Sequence, residues 1–267
     1  VATVNILNNP PRYNSRNLKT EFNIDKANAV LDAAGWKRGA DGVREKGGKK
    51  LHLVYQSSIN ALRQKVQAIF KQSCQKAGID IEIKGVTAAV FFSSDVSNPD
   101  TIGKFWADLQ MFAFTRGPDP ARFMQNFVSW ELSAKANKWL AMNRGRWVNA
   151  EYDRLFERMK AMPDGPERQA IIERMLGILQ HDAPWVWGLY EKAYTLQHGW
   201  LLNRKPGKII RNSLKYQRID VAERQRLRAE WNRPVVWPLI LVGLLGAVVV
   251  APAVIHYRRR ERAGAGG

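Results

Sequence analysis

A chain of 267 residues with 45% hydrophobic residues and ten tryptophans is long and apolar enough to build a packed core, which excludes a disordered chain. Its single cysteine, Cys74, excludes an internal disulfide and reads as a small buried helix residue. The formal net charge of +18 is uneven: residues 201–233 hold ten Lys and Arg against three acids, and Arg258, Arg259, Arg260 and Arg262 follow with only Glu261, so roughly +10 sits near the C-terminus.

Residues 1–24, which include NNPPRYNSRN, read as an irregular connection. With Val1 in place of an initiating Met, a further segment is expected to precede them. Asn23 and Asp25 can cap a helix from about Lys26 to Ala34, closed by Gly35. Asp41-Gly42 and Gly47-Gly48 mark hairpin turns, and Leu51, Leu53 and Tyr55 alternate as a strand. Residues 60–77 form an amphipathic helix closed by Gly78, and Ile79, Ile81 and Ile83 alternate as the next strand. Together these predict a right-handed βαβ unit with parallel strands.

Phe105 to Phe114 reads as a buried strand, followed by a turn at Gly117-Pro118-Asp119-Pro120. A polar stretch containing Trp130, Trp139 and Trp147 leads to helices at about 150–162 and 166–181. Ala183-Pro184 stops the second, and Trp185 to Leu196 reads as a returning strand. The body, 25–200, is therefore α/β.

Residues 234–255, PVVWPLILVGLLGAVVVAPAVI, carry no charge. As a helix they would rise about 33 Å, against a hydrocarbon core of roughly 30 Å. Trp231, Trp237 and Tyr257 flank the segment, as amphipathic rings do at headgroup level, and Pro238 falls in the first turn while Pro252 can kink the last. The alternative, a buried core helix, seldom runs this long without a polar face. The domain reading is thus a basic juxtamembrane segment at 201–233, a transmembrane helix at 234–256 and a basic tail at 257–267. Gly243 and Gly246, with Ala247 and Ala251, give that helix small residues for close contact with a neighbour. Membrane lipid is a partner expected of the flanking charge; nucleic acid is not, because the basic stretch resembles no nucleic-acid motif.

Catalytic and cofactor signatures are missing from the sequence. His52, His181, His198 and His256 are scattered, and HExxH, CxxC, GxSxG and a phosphate-cradling glycine loop do not occur. His181-Asp182 is the one suggestive pair, but neighbours in a helix are expected to point apart, and a histidine at a helix end suits the dipole. The expectation is a protein without enzymatic activity and without cofactor or metal.

Six stretches, in order, resemble the extracytoplasmic solute-binding proteins of peptide and nickel ABC transporters. They are ANAVLDAAGW (27–36), DGVREKGGKKLHL (41–53), VQAIFKQSCQKAGIDIEI (66–83), GPDP (117–120), WVNAEYD (147–153), and Arg168 with LQHDAPWVW (179–187). The resemblance covers the C-terminal half of such a protein, and implies a lobe of a type II periplasmic-binding-protein-like fold with an N-terminal lobe fragment elsewhere. It implies a ligand region around the DP turn. There Arg116 stands in place of the aspartate that holds a peptide's amino terminus in peptide-binding members, and an arginine favours a carboxylate or phosphate. Asp119, Phe114 and Trp130 complete the expected ligand set, with Phe112 and Trp139 as further aromatic candidates; at strand and loop spacing all four aromatics are more often core residues. The resemblance further implies a body in the periplasm, a single pass through the bacterial inner membrane and a cytoplasmic C-terminus. Charge alone does not orient the helix, because Arg218, Arg224, Arg226, Arg228 and Arg233 rival the arginines of the tail. Two functions follow as expectations. One is membrane-anchored solute binding beside an ABC permease; the other is a non-transport accessory subunit docked through its helix on a larger membrane complex.

Overall fold

The computed structural model describes residues 3–7, 10–114, 117–190, 194–204 and 214–264. They fall into two compact units, Val1–Ala193 and Tyr194–Gly267.

In the first unit the helix starts follow from their caps. The Asn23 side chain accepts from the Lys26 N–H and opens α1 (Ile24–Ala33), and Asn60 accepts from Leu62 and Arg63 to open α2 (Ala61–Lys76). Gly35 and Gly78 close these helices at φ +84° and +79°, the left-handed conformation that favours glycine. Between them β1 (Lys37–Arg38), β2 (Arg44–Lys46) and β3 (Lys49–Lys50) form an antiparallel meander. Arg44 is 2% exposed and ties it to both helices. Its guanidinium donates to Asp32 Oδ1 at 2.5 Å, the Trp36 carbonyl at 2.6 Å, the Ala77 carbonyl at 2.8 Å and Asn28 Oδ1 at 2.9 Å. Three of the family-like stretches, 27–36, 41–53 and 66–83, are therefore joined by one buried cation with its donors satisfied.

β4 (His52–Ser58) pairs in parallel with β5 (Asp80–Val86), the βαβ unit that the spacing predicts, and on its other side with β6 (Leu109–Met111). The sheet order is β5-β4-β6. α2 lies on this sheet through Gln67, whose amide donates to the Tyr55 carbonyl at 2.9 Å, and Phe70, whose ring meets Tyr55 edge-on at 5.1 Å. Burial pushes the Tyr55 hydroxyl up to about 12 and raises the half-buried Cys74 thiol.

A short helix α3 (Ala88–Phe91) follows β5. The main core forms from α4 (Pro120–Met124), α5 (Ala150–Lys160), α6 (Pro166–Asp182) and the irregular N-terminal stretch, which contributes Ile6, Leu7, Tyr13 and Leu18. The backbone of that stretch also reaches the far end of the unit, where the Thr3 N–H donates to the Gly188 carbonyl at 3.2 Å.

Three expectations need correction. The strand expected over Phe105–Phe114 is only Leu109–Met111. Phe105 takes φ +40°, the Trp106 indole turns to Asp100 at 3.0 Å, and the Asp108 carboxylate accepts from the Val54 N–H at 2.8 Å, so the run enters the sheet late. The turn at GPDP is the start of α4: Asp119 is its N-cap, accepting from the Ala121 N–H at 2.7 Å, and Pro120 takes the first helical position, where its lack of an N–H costs nothing. No strand is assigned among the described residues of 185–196. Trp185 and Trp187 pack against the core while Val186 is 85% exposed, so the apolar alternation serves packing rather than a ladder.

In the second unit β7 (Leu201–Leu202) pairs antiparallel with β8 (Arg218–Ile219). Asp220 caps α7 (Val221–Trp231), accepting from the Glu223 N–H. α8 (Trp237–Gly264) then runs past the expected end at Ile255, so Pro252 lies inside the helix rather than in its last turn. Its segment Trp237–Arg260 is long and apolar enough to cross a membrane, and none of it is buried within the protein.

Candidate functional site

In open α/β sheets ligands bind outside the carboxyl ends of the strands. Here those ends are Ser58, Val86 and Met111. A buried polar layer lies at the end of β4. Gln56 donates to Asp100 Oδ1 at 3.2 Å, Gln110 donates to Gln56 Oε1 at 2.8 Å, and the Ser57 hydroxyl donates to the Met111 carbonyl at 2.7 Å. Lys84, bonded to Asp100, holds that carboxyl below the usual range, helped by the Trp106 indole.

Beyond the strand ends lies a cleft of about 220 Å³ whose walls include Phe92, Thr101, Ile102, Gly103, Trp139 and Arg144. Arg63, bonded to the Ser58 hydroxyl, places its guanidinium 5.8 Å from the Phe92 ring. Arg144 stands over two more rings, 5.7 Å from both the Phe112 and the Phe114 centroids. Phe114 is stacked on Trp185 at 5.2 Å, and Phe112 meets both Phe114 and Trp185 edge-on.

Arg144 and Arg146 make an instructive pair. Burial pulls the pKa of both guanidinium groups down. Arg146 compensates with the carbonyls of Ser133 at 2.9 Å, Lys104 at 2.5 Å and Phe105 at 3.3 Å. Arg144 has the ring faces and no side-chain hydrogen bond or ion pair among the described residues. A desolvated guanidinium with free donors suits a planar anionic oxygen group, which it can grip through two parallel hydrogen bonds.

The expected ligand residues are dispersed. Phe114 belongs to this aromatic group. Asp119 is taken by its cap and by Arg168, whose Nη2 donates to both its oxygens at 3.0 Å. Trp130 is half-exposed and tilts over Phe156, 6.0 Å between centroids. Arg116 lies outside the described residues. On α8, Trp237, Gly243, Gly246 and Tyr257 are exposed within this chain. Arg144 was not singled out by the sequence. Its signal was the run NRGRW, where two arginines look alike until the neighbouring carbonyls are known.

His181 and Asp182 do meet, contrary to expectation: Nδ1 lies 2.9 Å from Oδ1. The contact is structural. Asp182 also accepts from the Trp147 indole at 3.1 Å and the Asn149 amide at 3.2 Å, which joins the WVNAEYD stretch to LQHDAPWVW at an exposed helix end. His181 holds the Asp182 carboxyl low, with Asn149 and Trp147 adding to the effect. Among the described residues no group of His, Cys, Asp and Glu is arranged to hold a metal.

Residues 2–136 match the profile of the bacterial extracellular solute-binding proteins, family 5, middle region. Protein XP55 of Streptomyces lividans is 30% identical over 73 residues, which cover 27% of this chain and 14% of that protein. Among solved structures, the oligopeptide-binding protein of Thermus thermophilus, complexed with a pentapeptide, superposes with a TM-score of 0.62 at 24% identity, over 72% of this chain and 34% of that one. NikZ of Campylobacter jejuni with Ni(L-His) gives 0.57 at 22% identity, over 66% and 34%. DppA of Helicobacter pylori with the peptide STSA gives 0.57 at 18%, over 79% and 38%. The chain thus spans about a third of the length of these solved structures, and at such identities they establish the fold: a mixed α/β body of the periplasmic-binding-protein kind, here with one apolar C-terminal helix. By the profile match over half its length, the chain belongs to the family 5 bacterial extracellular solute-binding proteins.

Proposed function

We propose that this chain is a membrane-anchored, periplasmic solute-binding subunit that offers a small solute bearing a carboxylate or similar anionic group to an ABC permease. The observation that carries the reading is Arg144, charged, part-buried and without an oxygen partner among the described residues, at the carboxyl ends of a parallel sheet in a solute-binding family. In this proposal Phe112 and Phe114 shield the guanidinium. α8 spans the inner membrane once, the body (25–200) lies in the periplasm and the tail (257–267) in the cytoplasm. Binding and delivery require no catalytic group and no cofactor.

A second reading is favoured by α8 itself. Gly243, Gly246, Ala247 and Ala251 leave part of an apolar helix surface flat, and the segment Trp237–Arg260 is not covered by the described residues. In that reading the chain is an accessory subunit whose helix packs on a larger membrane complex. Gentle solubilisation, capture of the full chain and mass spectrometry of what accompanies it separates the two. An ABC permease in the eluate is expected; a stable complex of another kind would contradict delivery to a permease and support the accessory role, whereas recovery alone would sink that role.

A further inference from the structure

The charges of α7 are sorted by face. Arg226 donates to both oxygens of Glu223 at 2.8 Å and to Glu230 at 3.3 Å, so one side of the helix is neutralised by its own i,i+3 and i,i+4 pairs. Arg224 and Arg228 lie four residues apart on another side and have no acidic partner among the described residues. Trp231 continues their row one turn on. It is 56% exposed, and it forms an aromatic shelf with His198, 5.5 Å away, and Trp200, 5.4 Å away, themselves stacked at 4.0 Å.

Covalent geometry limits where this face can be. Residues 232–236 connect α7 to α8, so the end of α7 stays within about 20 Å of the start of α8. If α8 spans the bilayer, a helix with two free arginines and an exposed tryptophan is held at headgroup depth. Cations there are attracted to anionic lipid, and indole rings prefer the interface.

We propose that α7 is a headgroup-binding helix: its Arg224–Arg228–Trp231 face rests on anionic phospholipid and fixes the unit Tyr194–Gly267 against the membrane surface. The inference rests on the reading of α8 as a spanning helix. The pairing of Arg226 is what gives the helix a direction, since a helix cationic all round would have no preferred face.

Hydrogen exchange of the full chain in nanodiscs tests it. Discs of phosphatidylcholine alone are compared with discs that also contain phosphatidylglycerol. Amides of 224–231 are expected to exchange on the order of tenfold more slowly in the anionic discs, and the gain should shrink at high salt. R224Q/R228Q is expected to lose the gain, while R226Q keeps most of it. Equal exchange in both discs, or an undiminished gain in R224Q/R228Q, would overturn the inference while leaving the anchor intact. Failure of the chain to enter discs of either composition would overturn the spanning reading, and this proposal with it.

Discussion

Gly103→Ala is expected to lower the stability of the body by about 3 kcal/mol or more, and to abolish solute binding at the cleft. A Cβ added at Gly103 would sit 2.2 Å from the Trp139 carbonyl oxygen and 3.3 Å from its carbon, both backbone atoms. The opposing segment has little room to retreat. Lys138 and Trp139 already hold φ +55° and +61°, costly for residues with side chains, and the Trp139 N–H is bound to the Ala134 carbonyl at 3.0 Å. The Gly103 carbonyl is fixed from the same side by the Ser133 hydroxyl at 2.8 Å. Gly103 and Trp139 touch and both line the cleft, so the strain of the added methyl group falls on the cleft wall itself. Gly145→Ala is the control: its Cβ would meet only the Trp185 indole nitrogen at 3.8 Å, an ordinary contact, and its change should stay within about 0.5 kcal/mol. Urea denaturation of both variants checks the pair.

Arg168→Met is expected to cost about 3 kcal/mol. Arg168 is 4% exposed and ties three parts of the core. Its Nε donates to the Met159 carbonyl at 3.1 Å, at the end of α5; Nη2 holds Asp119, the cap of α4; and Nη1 donates to Asp164 at 2.5 Å. Asp164 in turn accepts from the Tyr13 hydroxyl and Arg12 Nη2, both at 2.8 Å, which ties down the N-terminal stretch. Burial opposes the charge of Arg168, but the two carboxylates outweigh it and raise its pKa. The Tyr13 hydroxyl and Arg168 hold the Asp164 carboxyl below its ordinary range. A lowered folded pKa stabilises above the unfolded value and is lost as pH falls through the folded one. The gap between wild type and Arg168→Met should therefore narrow below about pH 4. Thermal melts across that range read it directly.

The residues that signal helix ends were legible because capping is local. Asn23 and the left-handed Gly35 and Gly78 act on atoms only a few positions away. The parallel pairing of β4 and β5 followed from spacing alone. The family-like stretches were legible for a different reason: many of their polar residues do structural work. Arg44, Arg168, Asn149 and Asp182 each satisfy several buried or helix-end groups.

Long-range contacts were not legible. An apolar run such as Phe105–Phe114 does not reveal that Asp108 and Trp106 will be bonded outside it, and the Trp185–Trp187 alternation looks the same whether a strand or an aromatic core receives it. Arg144 was hidden for the same reason. Its character depends on which carbonyls reach Arg146 instead, and those come from residues 104, 105 and 133.

The most direct test of solute binding is ¹⁹F NMR of the full chain, labelled with 5-fluorotryptophan and held in nanodiscs. Trialanine and its C-terminal amide serve as paired probes, and Trp139 and Trp185 report from the cleft wall and from the stack on Phe114. Trialanine is expected to shift both signals; its amide, and trialanine added to Arg144→Gln, are expected to leave them in place. No response to either probe, or a response to trialanine that survives Arg144→Gln, would contradict an anion subsite at Arg144.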